Sequence, residues 1–161
     1  MKKVLRAIRN TMQILFIIIA LSFIVLYLFG FRFYVVTTGS MHPTISAGSI
    51  CLVNRNTPFH DVVAGDIISF SIGENMLVTH RAVSIDADGI TTKGDANNTA
   101  DAAKVTEANY AGKTVWSAPK LGYAVTFLKS KPGIIIVVAF FILLMLPTFF
   151  YPATKEKHLS S

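Results

Sequence analysis

The sequence contains little cysteine and little charge. Of its 161 residues only one is a cysteine, Cys51, so no disulfide within the chain can stabilise the fold. The apolar neighbours of Cys51 favour a buried side chain over a nucleophile. Charged residues make up 15% of the chain, against roughly 25% in ordinary soluble domains. With 52% apolar residues and a mean hydropathy of +0.53, the composition excludes a disordered chain and a standard soluble nucleic-acid-binding domain.

Acidic residues are also scarce, and the charge is unevenly distributed. Fifteen Lys and Arg stand against nine Asp and Glu, which gives a formal net charge of +6. Four basic residues lie within residues 2–9, and the stretch after residue 154 adds one net positive charge. The region between them is nearly neutral, with nine basic and eight acidic residues. The basic excess therefore indicates membrane topology, and no nucleic-acid partner is expected.

Two long uncharged runs predict membrane-spanning helices. Residues 10–31 contain no charged side chain. As a helix they would be about 33 Å long, enough for a hydrocarbon core of about 30 Å. No A-x-A cleavage pattern follows, so we interpret residues 11–31 as an uncleaved signal-anchor. A second uncharged run predicts a transmembrane helix over 132–152, which Pro147 should kink or end.

The basic N-terminus sets the expected orientation of these helices. By the positive-inside rule, residues 1–10 and the tail 153–161 lie in the cytoplasm, and residues 32–131 form an extracytoplasmic domain. This predicts an integral protein of the cell membrane, or of its endoplasmic reticulum equivalent, in contact with membrane lipid.

The middle domain has the pattern of a β fold. Long amphipathic helix patterns are absent, residues 101–112 are ambiguous, and Asp88-Gly89 predicts a hairpin tip between two extended runs. We therefore predict a membrane-anchored, mainly-β domain between two transmembrane helices. The predicted strands are apolar and β-branched, and turn signals at 47–48, 64–65 and 73–75 separate them: 49–53, 66–72 and 76–85.

Hydrolytic chemistry needs a nucleophile, a base and a group that orients the base. The strongest nucleophile candidate is Ser40, in a loop where Gly39 allows close backbone approach or an unusual φ and Pro43 restricts His42 to extended geometry. A serine in such a loop is more often a plain turn residue. Ser40, however, lies at most about 36 Å of extended chain beyond the first span, close to the membrane.

Of the four histidines, His80 is the best candidate for the base. His158 lies in the predicted cytoplasmic tail, His60 lies among turn formers, and His42 is too near Ser40 in sequence for their side chains to meet. Alternation within 76–83 puts His80 on an apolar strand face and Arg81 on the other face. A histidine there is more often a hydrogen-bonded core residue, but a shielded base would occupy the same position.

Two acids lie in the polar block 92–101, which by itself is typical of an ordinary turn. Asp95 and Asp101 could bind calcium, but the twelve-residue ligand pattern of an EF-hand is missing. No metal or organic cofactor is expected. With a serine and a strand histidine already identified, an acid from this block could orient His80.

Together these motifs resemble those of type I signal peptidases. The TGSMHP sequence at 38–43 is similar to the family's S-G-S-M-x-P motif, with threonine for the first serine. Thr79-His80-Arg81 carries histidine where the ordinary bacterial branch has lysine, as in the archaeal and endoplasmic reticulum branch with its SipW-like members. The block at 93–101 is similar to K-G-D-N-N-x-x-x-D, with Ala96 as a departure, and the resemblance extends over residues 1 to about 150.

The resemblance implies a signal-peptidase-type β fold and a serine endopeptidase that cuts signal peptides from precursor proteins after small residues. Ser40 would be the nucleophile and His80 the base. Asp101 would orient His80, with Asp95 as a supporting acid. The Ser40 main-chain N–H, helped by the Thr38 hydroxyl, would form the oxyanion hole. The substrate backbone would add as a strand beside the Ser40 segment.

Two other functions stay open at this stage: a non-catalytic membrane-anchored β-domain adaptor, and a self-cleaving peptidase of the same fold. The second would need a DNA-binding or regulatory segment, and the flanking segments here are predicted membrane spans. The sequence also leaves open the identity of the precursors, the relative roles of Asp95 and Asp101, and whether the chain acts alone, as a homo-oligomer or with accessory subunits.

Overall fold

A computed structural model describes residues 2–73 and 76–150 of the chain. Residues Phe16–Val125 form one compact unit that contains the sheet, and the described residues up to 15 and from 126 onward form another. The elements in chain order are α1 (Lys2–Leu28), β1 (Phe31–Val35), β2 (Ile50–Asn54), a short 3-10 turn (Phe59–Asp61), β3 (Ile67–Ile72), β4 (Met76–Asp86), β5 (Gly89–Lys93), β6 (Tyr110–Ala118), α2 (Leu121–Lys129) and α3 (Lys131–Phe150).

The six strands form one antiparallel sheet in the order β1-β2-β6-β3-β4-β5. The sheet confirms the mainly-β prediction, and β2, β3 and β4 lie within one residue of the predicted strands. The predicted hairpin joins β4 to β5, although its tip is Ala87-Asp88, one residue earlier than predicted, with Gly89 already in β5. The predicted turn at 73–75 lies partly outside the described residues.

The sequence did not predict β1, β6 or α2. The stretch 101–112, whose secondary structure was ambiguous from the sequence, contains two parts. Residues 101–109 are irregular apart from a bridge between Val105 and Ile90, and β6 begins at Tyr110. The prediction that the first helix extends to residue 31 was wrong. It ends at Leu28 because Gly30 adopts a left-handed φ of +78°, which terminates helices. The aromatic residues from Phe31 onward therefore belong to β1.

One described helix, Ala7–Leu28, is long and apolar enough to cross a membrane. A second candidate exists only if α2 and the part of α3 up to Leu143 are taken together across the sharp bend between them. The predicted span at 132–152 corresponds to α3, although residues 151–152 lie outside the described residues. The backbone of α3 continues past Pro147 to Phe150, so the proline does not end the helix.

Two buried clusters hold the sheet domain together. The larger one joins residues of β3, β4 and β5 to Val62 and Val105, which lie in loops. Its members are Val62, Ile68, Phe70, Ala82, Ile90 and Val105. The smaller one joins Met41 and Ile45 to Cys51 on β2. Cys51 is fully buried, as predicted, and burial raises the pKa of its thiol to about 11. The smaller cluster fixes the chain immediately after Ser40.

Candidate active site

Ser40 lies in a tight turn that is anchored on both sides. After it, the Met41 side chain is buried beside Ile45, whose N–H donates to the Met41 carbonyl at 2.8 Å. The Ser40 carbonyl itself accepts the N–H of Ala96 at 2.8 Å. The Ser40 loop is therefore fastened to the turn that follows β5, and these hydrogen bonds fix the position of the Ser40 main chain.

Gly39 does not have the unusual φ that its place beside Ser40 suggested. Its φ is not left-handed, and a Cβ added there would meet nothing within 4 Å. Gly94 is the glycine that the loop requires, because a Cβ there would lie 2.7 Å from the Ser40 carbonyl oxygen and 2.8 Å from Asn97 Nδ2. The only indication of this in the sequence was that Gly94 lies in the polar block 92–101. The need for glycine there depends on Ser40, which is 54 positions away in the chain.

His80 is held on the buried face of β4, as the alternation predicted. It pairs in register with Ile68 of β3, is 8% exposed, and meets the Phe70 ring edge-on with centroids 6.2 Å apart. Its Nε2 lies 3.1 Å from Ser40 Oγ, and its Nδ1 lies 2.6 Å from Asp101 Oδ2. A carboxylate only accepts hydrogen bonds, so Nδ1 carries the proton and the Nε2 lone pair faces the Ser40 hydroxyl.

Asp101 is fixed to β5 through Thr92, a residue that the sequence analysis did not single out. The Asp101 N–H donates to the Thr92 carbonyl at 2.8 Å, and Thr92 Oγ1 donates to Asp101 Oδ2 at 2.6 Å. The Thr92 side chain is fully buried. Strand alternation predicts that the Thr92 side chain lies on the same face of β5 as Ile90. Only the fold shows that this side chain meets Asp101.

Asp95 contacts a different partner. Arg81 donates to its two oxygens at 2.8 and 2.7 Å, and the same guanidinium donates to the Gly65 carbonyl at 2.7 Å. The Arg81 hydrogen bonds and charge lower the pKa of Asp95, and the carboxylate raises the pKa of Arg81. The structure thus brings Asp101 to His80 and brings Asp95 to Arg81, the neighbouring residue on β4.

The remaining predicted positions surround this chain of contacts or lie apart from it. Thr38 Oγ1 lies 3.4 Å from Ser40 Oγ. His42 is exposed and its Nδ1 faces Ser46 at 3.5 Å, His60 is an exposed neighbour of Asp61, and His158 lies outside the described residues. Within residues 2–73 and 76–150, no group of three or more His, Cys, Asp or Glu is placed to bind a metal ion.

Ser40 and His80 open into a cleft of about 720 Å³ with mostly apolar walls. Its walls include the end of β1 and the chain that follows it, from Tyr34 to Thr38, and the first half of β4, from Met76 to His80. β4 pairs with β3 from Met76 to Arg81 but with β5 only from Arg81 onward. Over its first half, β4 therefore has an edge that pairs with no other described strand.

A buried histidine between a serine hydroxyl and a carboxylate is the arrangement of a serine hydrolase, here on an antiparallel β domain. The family described as "Signal peptidase, peptidase S26" matches residues 8–116, a range that includes Ser40, His80 and Asp101. The chain therefore belongs to the signal peptidase family, peptidase S26.

A bacterial protein is similar to this chain over part of its length. Signal peptidase I W of Bacillus subtilis (strain 168) is 40% identical over 85 residues. The match covers 50% of this chain and 45% of the relative, so it spans less than half of the relative's length.

Proposed function

We propose that this chain is a membrane-bound serine endopeptidase that removes N-terminal signal peptides from secreted precursor proteins, cutting after small residues. The observation that carries the proposal is the continuous contact from Ser40 Oγ through His80 to Asp101, at 3.1 and 2.6 Å. Membership of the signal peptidase family and the likeness to Signal peptidase I W support the substrate class.

In this mechanism Ser40 Oγ attacks the carbonyl carbon of the scissile peptide bond while His80 Nε2 accepts the hydroxyl proton. His80 then donates that proton to the leaving amine, and water hydrolyses the acyl-enzyme by the same route. The Asp101 carboxylate accepts a hydrogen bond from His80 Nδ1–H throughout and stabilises the imidazolium without becoming protonated. The Ser40 N–H and the Thr38 hydroxyl, which lies close to Ser40 Oγ, would donate to the oxyanion.

The cleft suits a peptide that binds as an extended strand. In the described part of the chain, no main-chain hydrogen bond involves Thr37, although its neighbour Val36 pairs with residues 48 and 49. Thr37 and the unpaired edge of β4, which both line the cleft, can each pair with an inserted strand. Main-chain pairing of this kind tolerates many sequences, and pockets that fit small side chains would supply the preference at the cut.

The proposed topology follows the charge distribution. Residues 1–10 would lie in the cytoplasm, and the predicted anchor 11–31 would span the membrane as far as Leu28, where its helix ends. The extracytoplasmic catalytic domain, predicted over 32–131, would then begin with β1 at Phe31. The segment 132–152 would return through the membrane, and 153–161 would be cytoplasmic. The apolar segment Ala7–Leu28 and the basic residues at and before its start support this orientation. The site would then face precursors as their signal peptides emerge beside membrane lipid.

The test is cleavage of a model precursor by the full chain in detergent or lipid vesicles. Ser40→Ala and His80→Ala should each lose activity by at least about 10³-fold. His42→Ala and His60→Ala, which change histidines outside the contact chain, should cleave at the wild-type rate. Full activity of His80→Ala would exclude the Ser40–His80 pair, and full activity of Ser40→Ala would show that the cleavage activity does not come from Ser40.

A further inference from the structure

Thr92 is the only residue of β5 whose side chain hydrogen-bonds a group of the Ser40–His80–Asp101 chain. Its hydroxyl and His80 Nδ1 both donate to the same carboxylate oxygen, Asp101 Oδ2, each at 2.6 Å. The main chain adds a second link at the same place, from the Asp101 N–H to the Thr92 carbonyl at 2.8 Å. The hydrogen bonds of Thr92 within this chain of contacts therefore go to the orienting acid and not to Ser40 or His80.

The position of Thr92 separates it from substrate. Ser40, His80 and Asp101 line the cleft, whereas the Thr92 side chain is fully buried behind Asp101 and does not line it. The Asp101 side chain is 23% exposed, so without the hydroxyl it has room to rotate toward solvent. Since Asp101 is the one carboxylate that bonds His80 among the described residues, such a rotation would leave the Nδ1 proton without its acceptor.

We propose that Thr92 is a positioning residue that holds the Asp101 carboxylate in line with His80 Nδ1. This inference rests on the proposed peptidase function. It gives Thr92 no contact with substrate, so its hydroxyl should affect the rate of the chemical step and leave substrate binding unchanged. Loss of the hydroxyl should lower kcat by about ten- to thirtyfold, a part of the total that general acid–base catalysis supplies, with KM within about twofold.

The decisive comparison is between Thr92→Ser and Thr92→Ala. Both variants remove the same methyl group and differ only in the hydroxyl, so the packing defect left by the methyl group is shared. Thr92→Ser should retain kcat within about threefold, and Thr92→Ala should show the loss. Thr92→Val, which keeps the shape of the side chain, should behave as Thr92→Ala if it folds.

Two control variants separate positioning from general stability. Thr91→Val makes the same change at the adjacent, half-buried position of β5, which strand alternation points away from Asp101. Ser69→Ala removes a fully buried hydroxyl that bonds Thr79 at 2.8 Å, away from Asp101. Ser69→Ala should lower the melting temperature, but both controls should keep the kcat of the wild type.

An NMR measurement on the full chain in detergent gives a readout that does not require activity. The short Nδ1–H···Oδ2 bond should give a downfield His80 proton signal in the wild type, in Thr92→Ser and in Thr91→Val. The signal should be lost or shifted upfield in Thr92→Ala.

Equal kcat and equal Nδ1 proton signals in Thr92→Ser and Thr92→Ala would overturn the inference. A rise in KM with unchanged kcat in Thr92→Ala would overturn it as well. Failure of the proposed function would look different. The wild-type chain would then cleave the precursor no faster than Ser40→Ala does.

Discussion

On each face of β4, a side chain contacts a carboxylate, and the two contacts have similar geometry but different chemistry. Consecutive residues, His80 and Arg81, point to opposite faces, and each meets an acid from the block that follows β5. On one face, His80 is 8% exposed and joins Asp101 to a serine hydroxyl. On the other face, Arg81 joins Asp95 to the Gly65 carbonyl and the Thr44 hydroxyl. One contact can transfer a proton, and the other can only hold loops together.

The guanidinium explains this difference. It is always protonated and offers a planar fork of donors, so the Arg81–Asp95 contact is a fixed ion pair that crosslinks three loops. The imidazole of His80 differs in having two ring nitrogens, one of which can donate a hydrogen bond while the other accepts one. Under the proposed mechanism, one of two neighbouring positions on β4 serves catalysis and the other serves structure, and substitutions in the two acids should separate the two contributions.

The largest expected contrast is in activity. Asp101→Asn should lower kcat on the order of 10³- to 10⁴-fold, because the amide no longer fixes the histidine tautomer, while the melting temperature changes little. Asp95→Asn should retain most of the activity of each folded molecule. The measurement is precursor cleavage normalised to folded protein. A greater loss of kcat in Asp95→Asn than in Asp101→Asn would reverse the assignment.

The second contrast uses two glycines beside the nucleophile. Gly94→Ala places a Cβ 2.7 Å from the Ser40 carbonyl oxygen, and that oxygen belongs to the main chain and cannot yield without moving Ser40. We expect a loss of about 10²-fold in kcat/KM, which is typical of displacing a catalytic group by about 1 Å. Gly39→Ala meets nothing within 4 Å and should melt at the wild-type temperature. Equal melting and equal activity of Gly94→Ala and wild type would show that the loop adapts freely.

The third contrast is in stability. Asp95 and Arg81 side chains are 15% and 32% exposed, so Asp95→Asn removes a partly buried, bidentate contact. The expected cost is about 1–3 kcal/mol in the free energy of unfolding, within the range for hydrogen bonds to charged groups. Chemical denaturation of the full chain in detergent measures it. Asp88→Asn, at an exposed residue of the β4–β5 turn, is the control and should cost much less.

The smallest effect is the pH dependence of that stability. The pKa of Asp95 is lower in the folded chain than its unfolded value of about 3.9. The carboxylate therefore stabilises the fold at pH values above the unfolded pKa, and this contribution is lost as pH falls through the folded pKa. The difference in melting temperature between wild type and Asp95→Asn should be constant from pH 7 to about 5 and shrink below about 4. A difference that grows on acidification would contradict the ion pair.

Local patterns in the sequence predicted the strands that alternate and have turn signals at their ends. They missed β1 because Phe31 and its neighbours continue an apolar run, so that only the left-handed Gly30 separates helix from strand. They missed β6 because Gly112, Lys113 and Thr114 interrupt its apolar pattern. Whether a strand forms at such positions depends on the neighbours β2 and β3, which are distant in sequence.

The candidate site shows the same limit. The motifs singled out Ser40, His80 and two acids, but the spacing within residues 92–101 does not say which acid reaches which side of β4. That choice is made by the hydrogen bonds of Asp101 to Thr92, whose importance depends on contacts across the sheet. The need for glycine at position 94 was likewise not predictable from local sequence, because it comes from the Ser40 carbonyl packed against it.

The single cysteine has a practical consequence for all of these measurements. Cys51 lies fully buried in β2, with its pKa raised to about 11, so a thiol reagent at neutral pH should not modify it in the folded domain. Unfolding exposes a thiol with an ordinary pKa of about 8.5, and no other cysteine competes for the reagent. Labelling kinetics would then report how often the domain opens within the intact chain, without denaturant and without substrate. The residue that cannot crosslink the fold is an internal probe of its opening.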